Sequence, residues 1–329
     1  MYIPDENRYQ KMEYQRCGLS GLELPKVSLG LWHNFGDITP FHVQQSLLRT
    51  AFDGGITHFD LANNYGPPYG EAERNFGEHM RRDWHTHRDE LIISTKAGYD
   101  MWPGPYGDGG SRKYLIASLN QSLKRMNVDY VDIFYHHRPD PETPLEETMG
   151  ALRDIVRSGK ALYVGVSNYG PELTRRAAAM LKEMGVPLTI HQPKYNLLTR
   201  DAEDALFPAL KEEGIGCIVF SPLRNGVLTG KYLNGVPEDS RLAKDPRYLK
   251  PAYLTEEVQQ TVAALNEIAR EREESLTQMS LSYVLRHEAV TSVLIGASRP
   301  EQIVENCRVL SSAPFTEEQL AKIDRITGK

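Results

Sequence analysis

The sequence predicts an α/β protein folded as a (β/α)8 TIM barrel. Short β-branched or apolar runs alternate with segments of helical period, and eight such runs can be counted along the chain without a break in composition. About 250 residues is the usual size of this fold, so 329 residues are expected to form a single domain, 1–329, with the surplus as elaboration.

The elements follow in order. "MEYQRCGLSGLELPKVS" reads as an N-terminal β-hairpin, two short extended runs about a glycine-containing turn. "VSLGLW" is the first barrel strand and "HVQQSLLRTAFDGG" its helix, which ends at the glycine expected just past a helix. "THFDLA" and "LIISTKAG" are the second and third strands, and "RKYLIASLNQSLKRMN" is the helix after the third. Three further pairs follow: "VDIFYHH" with "LEETMGALRDIVRSGK", "LYVGVSN" with "PELTRRAAAMLKEMG", and "LTIHQPKY" with "DALFPALKEEG". "CIVFSPL" is the seventh strand, and the helical pair "EEVQQTVAALNEIARERE" and "TQMSLSYVLRHEA" precedes the eighth, "SVLIGAS". "TEEQLAKIDRITG" is the last helix. Extra chain falls at residues 101–112, after the third strand, and at about 225–253, after the seventh. Both therefore lie at the carboxyl-terminal mouth of the barrel, where active sites of this fold occur.

Composition narrows the function. A formal charge of −6 and a pI near 6.0 offer no basic excess for nucleic-acid phosphates, although a local basic pocket could hold one phosphorylated ligand. Cys17, Cys217 and Cys307 are distant and odd in number, which argues against a disulfide framework or a zinc cluster and suits a reducing compartment. The start "MYIPDENRYQKMEY" lacks the charge pattern and apolar core of a signal peptide, and no apolar run approaches the roughly 20 residues that span a bilayer. The expectation is a cytoplasmic protein without nucleic-acid or membrane partners.

Four residues at successive strand ends carry chemistry. Asp60 ends the second strand, Tyr65 follows in its loop, Lys96 ends the third strand and His137 the fourth, so a barrel brings them together. Each alone reads as a surface charge or a structural histidine; the conjunction fits carbonyl reduction. Hydride reaches the carbonyl carbon, and a proton must reach its oxygen. A phenol can supply that proton if the Lys96 ammonium lowers its pKa from near 10, with Asp60 holding Lys96 charged and His137 bonding the substrate oxygen. Strand alternation sends His136 to the other side, in a structural role. His85 and His87 in "HTH" have no further ligand at metal spacing and read as a solvated helix end, so no metal is expected.

The dinucleotide fingerprint G-x-G-x-x-G after a strand is absent, and "GPYGDGGSRK" does not close as a phosphate loop. Candidate cradles for a nicotinamide cofactor lie at later strand ends: Ser167 and Asn168, Gln192, and "FSPLRNGVLTGKY" from Phe220, whose ring suits stacking. Each could equally be turn chemistry.

The ordered motifs "GITHFDLANNYG", "IISTKAG", "YVDIFYHHRPD", "LYVGVSNYG" and "GASRPEQIVEN" resemble the aldo-keto reductase superfamily through nearly the whole chain. "RPDPETPLEETMGAL" and "GKYLNGVPEDSR" are similar to a branch containing potassium-channel β subunits. "LGLWHNFG" and "TKAGYDMWPGPYG" look like a bacterial branch reducing L-glyceraldehyde 3-phosphate and methylglyoxal. The resemblance implies a catalytic tetrad of Asp60, Tyr65, Lys96 and His137. It implies nicotinamide contacts from Trp32, Asp60, Ser167, Asn168, Gln192 and Phe220, and pyrophosphate contacts from Ser221, Leu223 and Lys231. Arg241 and Arg299 would meet an adenosine 2′-phosphate, with Gly296, Ser298, Gln302, Glu305 and Asn306 around the adenine end. Guanidinium groups there favour NADPH over NADH. Trp32, Tyr65, Trp102 and His137 would line the substrate site. Arg112 and Lys113, beside "GDGGS", are expected to draw a phosphorylated substrate to the mouth.

A small aldehyde is thus the expected partner, together with further copies of the chain in a tetramer or larger ring. The chain stops soon after its last helix, so a long carboxyl-terminal loop over the substrate pocket is not expected. Two other readings are a non-catalytic NADPH-binding regulatory subunit and an aldolase using Lys96 as a Schiff base. The short segment before the first barrel strand argues against the former.

Overall fold

The computed structural model describes residues 2–233, Gly235 and residues 254–329. An antiparallel hairpin, β1 (Tyr14–Arg16) and β2 (Glu23–Pro25), pairs Tyr14 with Pro25. Eight parallel strands follow: β3 (Val27–Gly30), β4 (His58–Asp60), β5 (Ile92–Ala97), β6 (Val131–His136), β7 (Ala161–Ser167), β8 (Leu188–Gln192), β9 (Gly216–Val219) and β10 (Ser292–Ile295). They close in the order β10-β3-β4-β5-β6-β7-β8-β9, so the expected barrel is formed, with each expected strand in its place.

Helices cover the outside: α1 (Phe41–Asp53), α2 (Glu71–His79), α3 (Arg112–Met126), α4 (Leu145–Arg157), α5 (Pro171–Glu183) and α6 (Leu206–Glu213). After β9 come α7 (Glu256–Glu271) and α8 (Leu276–Leu285), and after β10 come α9 (Pro300–Cys307) and α10 (Glu317–Thr327). Their ends obey local rules: Ser111 caps α3 by accepting from the Tyr114 N–H at 3.2 Å, and left-handed Asn127 ends it. Thr316 and Gln319 form a reciprocal capping box on α10. The segment "HTH" continues α2 as a 3-10 turn, where His87 Nδ1 meets Glu90 Oε1 at 2.7 Å.

The main apolar core lies between strands and helices, through residues such as Phe52, Phe59, Phe76, Trp84 and Leu265. A second cluster closes the bottom of the barrel, where Cys17 and Leu24 of the hairpin pack on Ile133, Tyr135, Ile190, Ile218 and Leu294. Gly18 makes that plug possible: its φ is +57°, and a Cβ there would lie 2.1 Å from the Gly214 carbonyl oxygen.

Above the plug runs a line of buried polar groups. Ser292 Oγ lies 2.7 Å from Ser28 Oγ, His58 Nδ1 is 3.0 Å from Ser28 Oγ, and His58 Nε2 is 2.9 Å from Ser94 Oγ. These hydroxyls and the imidazole satisfy one another, which is what allows such groups in a core.

Candidate active site

Because the strands are parallel, their carboxyl ends share one face, and the expected residues gather there. Asp60 is the last residue of β4, Lys96 the penultimate residue of β5, and His137 follows β6 directly. Asp60 and Lys96 are fully buried, with Asp60 Oδ2 2.5 Å from Lys96 Nζ. Lys96 also donates to the Leu61 carbonyl oxygen at 2.7 Å, while Asp60 Oδ1 accepts from Ser94 Oγ at 2.6 Å and Gln192 Nε2 at 3.3 Å. The ion pair is therefore buried, with both partners making further hydrogen bonds, the condition under which such a pair is tolerable.

Tyr65, in the loop after β4, completes the group. Lys96 Nζ lies 5.0 Å from its ring centroid, the His137 ring meets it near edge-on at 6.0 Å, and the Trp32 ring lies 6.1 Å away. Burial, then Asp60 and Tyr99, pushes the phenol well above its ordinary value. This reverses the expected lowering by Lys96. The ammonium is engaged by Asp60 and a carbonyl, and the carboxylate offsets its field at the phenol. For Lys96 itself, burial lowers the pKa, opposed by the Asp60 charge and hydrogen bond.

His137 is held by its backbone: its N–H donates to the Ala97 carbonyl at 2.9 Å, and its carbonyl accepts from Asn168 Nδ2 at 3.1 Å. Burial and the nearby Lys96, His136 and Arg138 take its pKa well below the usual imidazole range, so it is neutral at physiological pH. His136, as alternation requires, faces elsewhere and binds the Tyr169 hydroxyl through Nδ1 at 2.7 Å.

Most of the expected cofactor residues among those described occupy the other half of the same rim, while Asp60 and Trp32 stand with the group above. Ser167 ends β7 and donates to the Gln192 carbonyl at 2.8 Å; Asn168 adopts a left-handed backbone; Gln192 ends β8. Phe220 is half-buried after β9, followed by a turn in which Ser221, Arg224, Asn225 and Gly226 all have positive φ, with Leu223 within it and Lys231 exposed beyond. A backbone turned repeatedly into that region can form a concave cradle for an anion. Gly296, Ser298 and Arg299 are exposed between β10 and α9, where the Ser298 N–H donates to Gln302 Oε1 at 2.8 Å; Glu305 and Asn306 lie further along α9. Arg241 lies outside the described residues.

One expectation about the rim changes, and Trp102 has its nearest ring partner elsewhere. Arg112 is the first residue of α3 and pairs with Asp154 at 2.6 Å on the outside, because capping by Ser111 sets the helix there. Trp102 packs on Tyr114 at 5.2 Å, and among the described residues no ring contact joins it to Tyr65 or His137. Sequence reasoning missed Ser94, His58 and Tyr99. Ser94 and His58 stand two residues from Lys96 and Asp60, so strand alternation alone carried the signal for both. Tyr99, whose ring meets His137 edge-on at 4.7 Å, sits in a loop where no periodicity speaks. Among the described residues no group of three or more His, Cys, Asp or Glu could hold a metal, and no helix is long and apolar enough to cross a membrane.

A closed parallel barrel with an acid, an amine, a phenol and a neutral imidazole at its carboxyl face has the makings of an enzyme for proton-coupled carbonyl chemistry. The chain belongs to the aldo/keto reductase family, whose pattern matches residues 26–327. It is 57% identical to the L-glyceraldehyde 3-phosphate reductase of Escherichia coli O157:H7 over 99% of this chain and 95% of that protein. To its namesake in Escherichia coli strain K12 it is 56% identical, with the same coverage. It is 36% identical, over 96% of each chain, to a probable voltage-gated potassium channel subunit beta of Oryza sativa subsp. japonica. The protein is an oxidoreductase acting on aldehyde and CH–OH groups.

Proposed function

We propose that the chain is an NADPH-dependent reductase of small aldehydes, with L-glyceraldehyde 3-phosphate the first substrate and methylglyoxal the second. The observation that carries the reading is the buried Lys96–Asp60 pair at 2.5 Å beside Tyr65 and His137, on a chain 57% identical to a reductase named for that triose phosphate. Tyr65 donates the phenolic proton to the aldehyde oxygen, and its raised pKa keeps that proton in place until the carbonyl demands it. Lys96 offsets the phenolate that forms, Asp60 holds Lys96, and neutral His137 offers a ring nitrogen to the same oxygen.

The donor set of the opposite rim fits a dinucleotide: amides at Asn168 and Gln192, an aromatic face at Phe220, and the positive-φ turn from Ser221 to Gly226 as pyrophosphate cradle. Trp32 and Ser167 border the nicotinamide end. Leu223 and Lys231 extend the pyrophosphate cradle, and Gly296, Ser298, Gln302, Glu305 and Asn306 hold the adenosine end. Arg241 and Arg299 supply guanidinium groups for a 2′-phosphate, hence NADPH. The bound cofactor supplies the hydride.

The test is NADPH consumption over a panel of L-glyceraldehyde 3-phosphate, glyceraldehyde, methylglyoxal and a bulky aromatic aldehyde. The triose phosphate should show the highest kcat/KM. An aromatic aldehyde in first place sinks the substrate assignment, and NADPH binding without turnover of any aldehyde sinks the reductase.

A further inference from the structure

With Arg112 committed to Asp154, the rim needs another cation for a substrate phosphate, and one stands next to His137. We propose that Arg138 is the phosphate-binding residue of the substrate site, and that Asp108 occupies its guanidinium until a phosphorylated aldehyde displaces it. This rests on the aldehyde-reductase reading above.

The position is fixed from three sides. Arg138 turns back across the end of β5, where its Nε donates to the Gly98 carbonyl at 2.7 Å. Its Cζ lies 4.6 Å from the Tyr99 ring centroid, and the same ring meets the His137 imidazole edge-on at 4.7 Å. One tyrosine ring thus contacts both the cation and the imidazole, which places Arg138 and His137 on the same stretch of rim. Gly98 lets the chain after β6 pass close by: a Cβ there would come within 3.1 Å of His137 Cβ and 3.2 Å of the Arg138 backbone nitrogen.

Arg138 Nη2 contacts both oxygens of Asp108 at 2.9 Å. The two side chains are 39% and 48% exposed, so water can take over the released carboxylate. An exposed pair of this kind contributes little to stability, so it can exchange readily. A phosphate dianion offers the same guanidinium more charge and a matching set of oxygens. Asp108 belongs to the loop between β5 and α3, where Gly104 and Gly109 have positive φ. Displacement would free Asp108 while the Gly110 N–H, which donates to Asp140 Oδ2 at 2.7 Å, keeps the base of that loop tied to the chain after β6. Lys113, the other cation near this loop, is instead turned onto Tyr106, 5.1 Å from its ring.

The experiment measures kcat/KM for L-glyceraldehyde 3-phosphate and for unphosphorylated glyceraldehyde, and reads their ratio, in which general damage cancels. Arg138→Met should lower the ratio roughly 10- to 100-fold, the scale of hydrogen bonds to a charged group, and abolish competitive inhibition by inorganic phosphate. Arg138→Gln, which keeps a donor for Gly98, serves if the first variant does not fold, with the same expected fall. Asp108→Asn should raise the ratio, by up to about fivefold. A ratio within twofold of wild type in the Arg138 variants overturns the proposal, as does a fall in Asp108→Asn. Wild-type controls separate the layers. No preference for the phosphate in wild type refutes the triose-phosphate reading and this proposal with it. A wild-type preference that survives in the Arg138 variants refutes this proposal alone.

Discussion

Tyr65 shows how a residue's role depends on its neighbours' commitments. Lys96 is bound by Asp60 at 2.5 Å and by the Leu61 carbonyl at 2.7 Å, so it faces the phenol as part of a nearly neutral pair. Tyr65→Phe should therefore leave NADPH binding by fluorescence titration intact and lower turnover by roughly 10²–10⁴-fold, the range for lost general acid catalysis; unchanged turnover with chemistry rate-limiting contradicts the assignment. Lys96→Met strands a fully buried carboxylate and should cost about 3–5 kcal/mol in urea unfolding at pH 7. A smaller loss when Lys96→Met is made in an Asp60→Asn background would identify the stranded charge as the cause. The gathering of Asp60, Tyr65, Lys96 and His137 was legible because acid, phenol, amine and imidazole fell at or just past the ends of apolar runs. Tyr99 and Arg138 were not, since their importance lies in ring contacts between the ends of β5 and β6 that only the closed barrel creates.

At the scale of elements, every barrel strand was legible from its apolar run, but the runs overstated strand length. β4 is three residues, His58–Asp60, because the pairing stops where the chain leaves the barrel wall for the site. Helix α2 escaped notice for a different reason. "EAERNFGEH" carries a glycine and a buried glutamate, and its core contacts come from Ala72 and Phe76 with too few apolar residues for a clear period. Glu73 is affordable inside because Thr95 Oγ1 and Arg125 Nε donate to it at 2.6 and 2.7 Å. The turn after β9 leads to the segment containing Arg241, whose place in "GKYLNGVPEDSR" still supports a 2′-phosphate contact. Arg241→Ala should weaken NADPH by about 1.5–3 kcal/mol and leave NADH nearly unchanged; equal losses in titration would rule out selective phosphate recognition.

For the whole molecule, the polar interior makes folding sensitive to acid. His58, His79, His136 and His191 are buried, and desolvation first of all brings the pKa of each down to about 4. A histidine depressed on folding stabilises the native state fully above its unfolded pKa of about 6.5, and that contribution is lost as pH falls toward 4. Each such group contributes on the order of 2 kcal/mol less at pH 5 than at pH 7, so urea midpoints should fall steeply across that interval. A flat profile between pH 7 and 5 would show that these histidines protonate in place. The rim described above has one more consequence, which concerns how such a protein can change over generations. The proposed proton-handling residues sit on β4, β5 and β6, and the proposed cofactor residues mostly on β7 to β10, so two trades occupy opposite arcs of one ring. Loops on the first arc can be rewritten for a new aldehyde while the second arc is inherited untouched, and chimaeras joined near Arg157, at the end of α4, are the natural place to exchange one trade without disturbing the other.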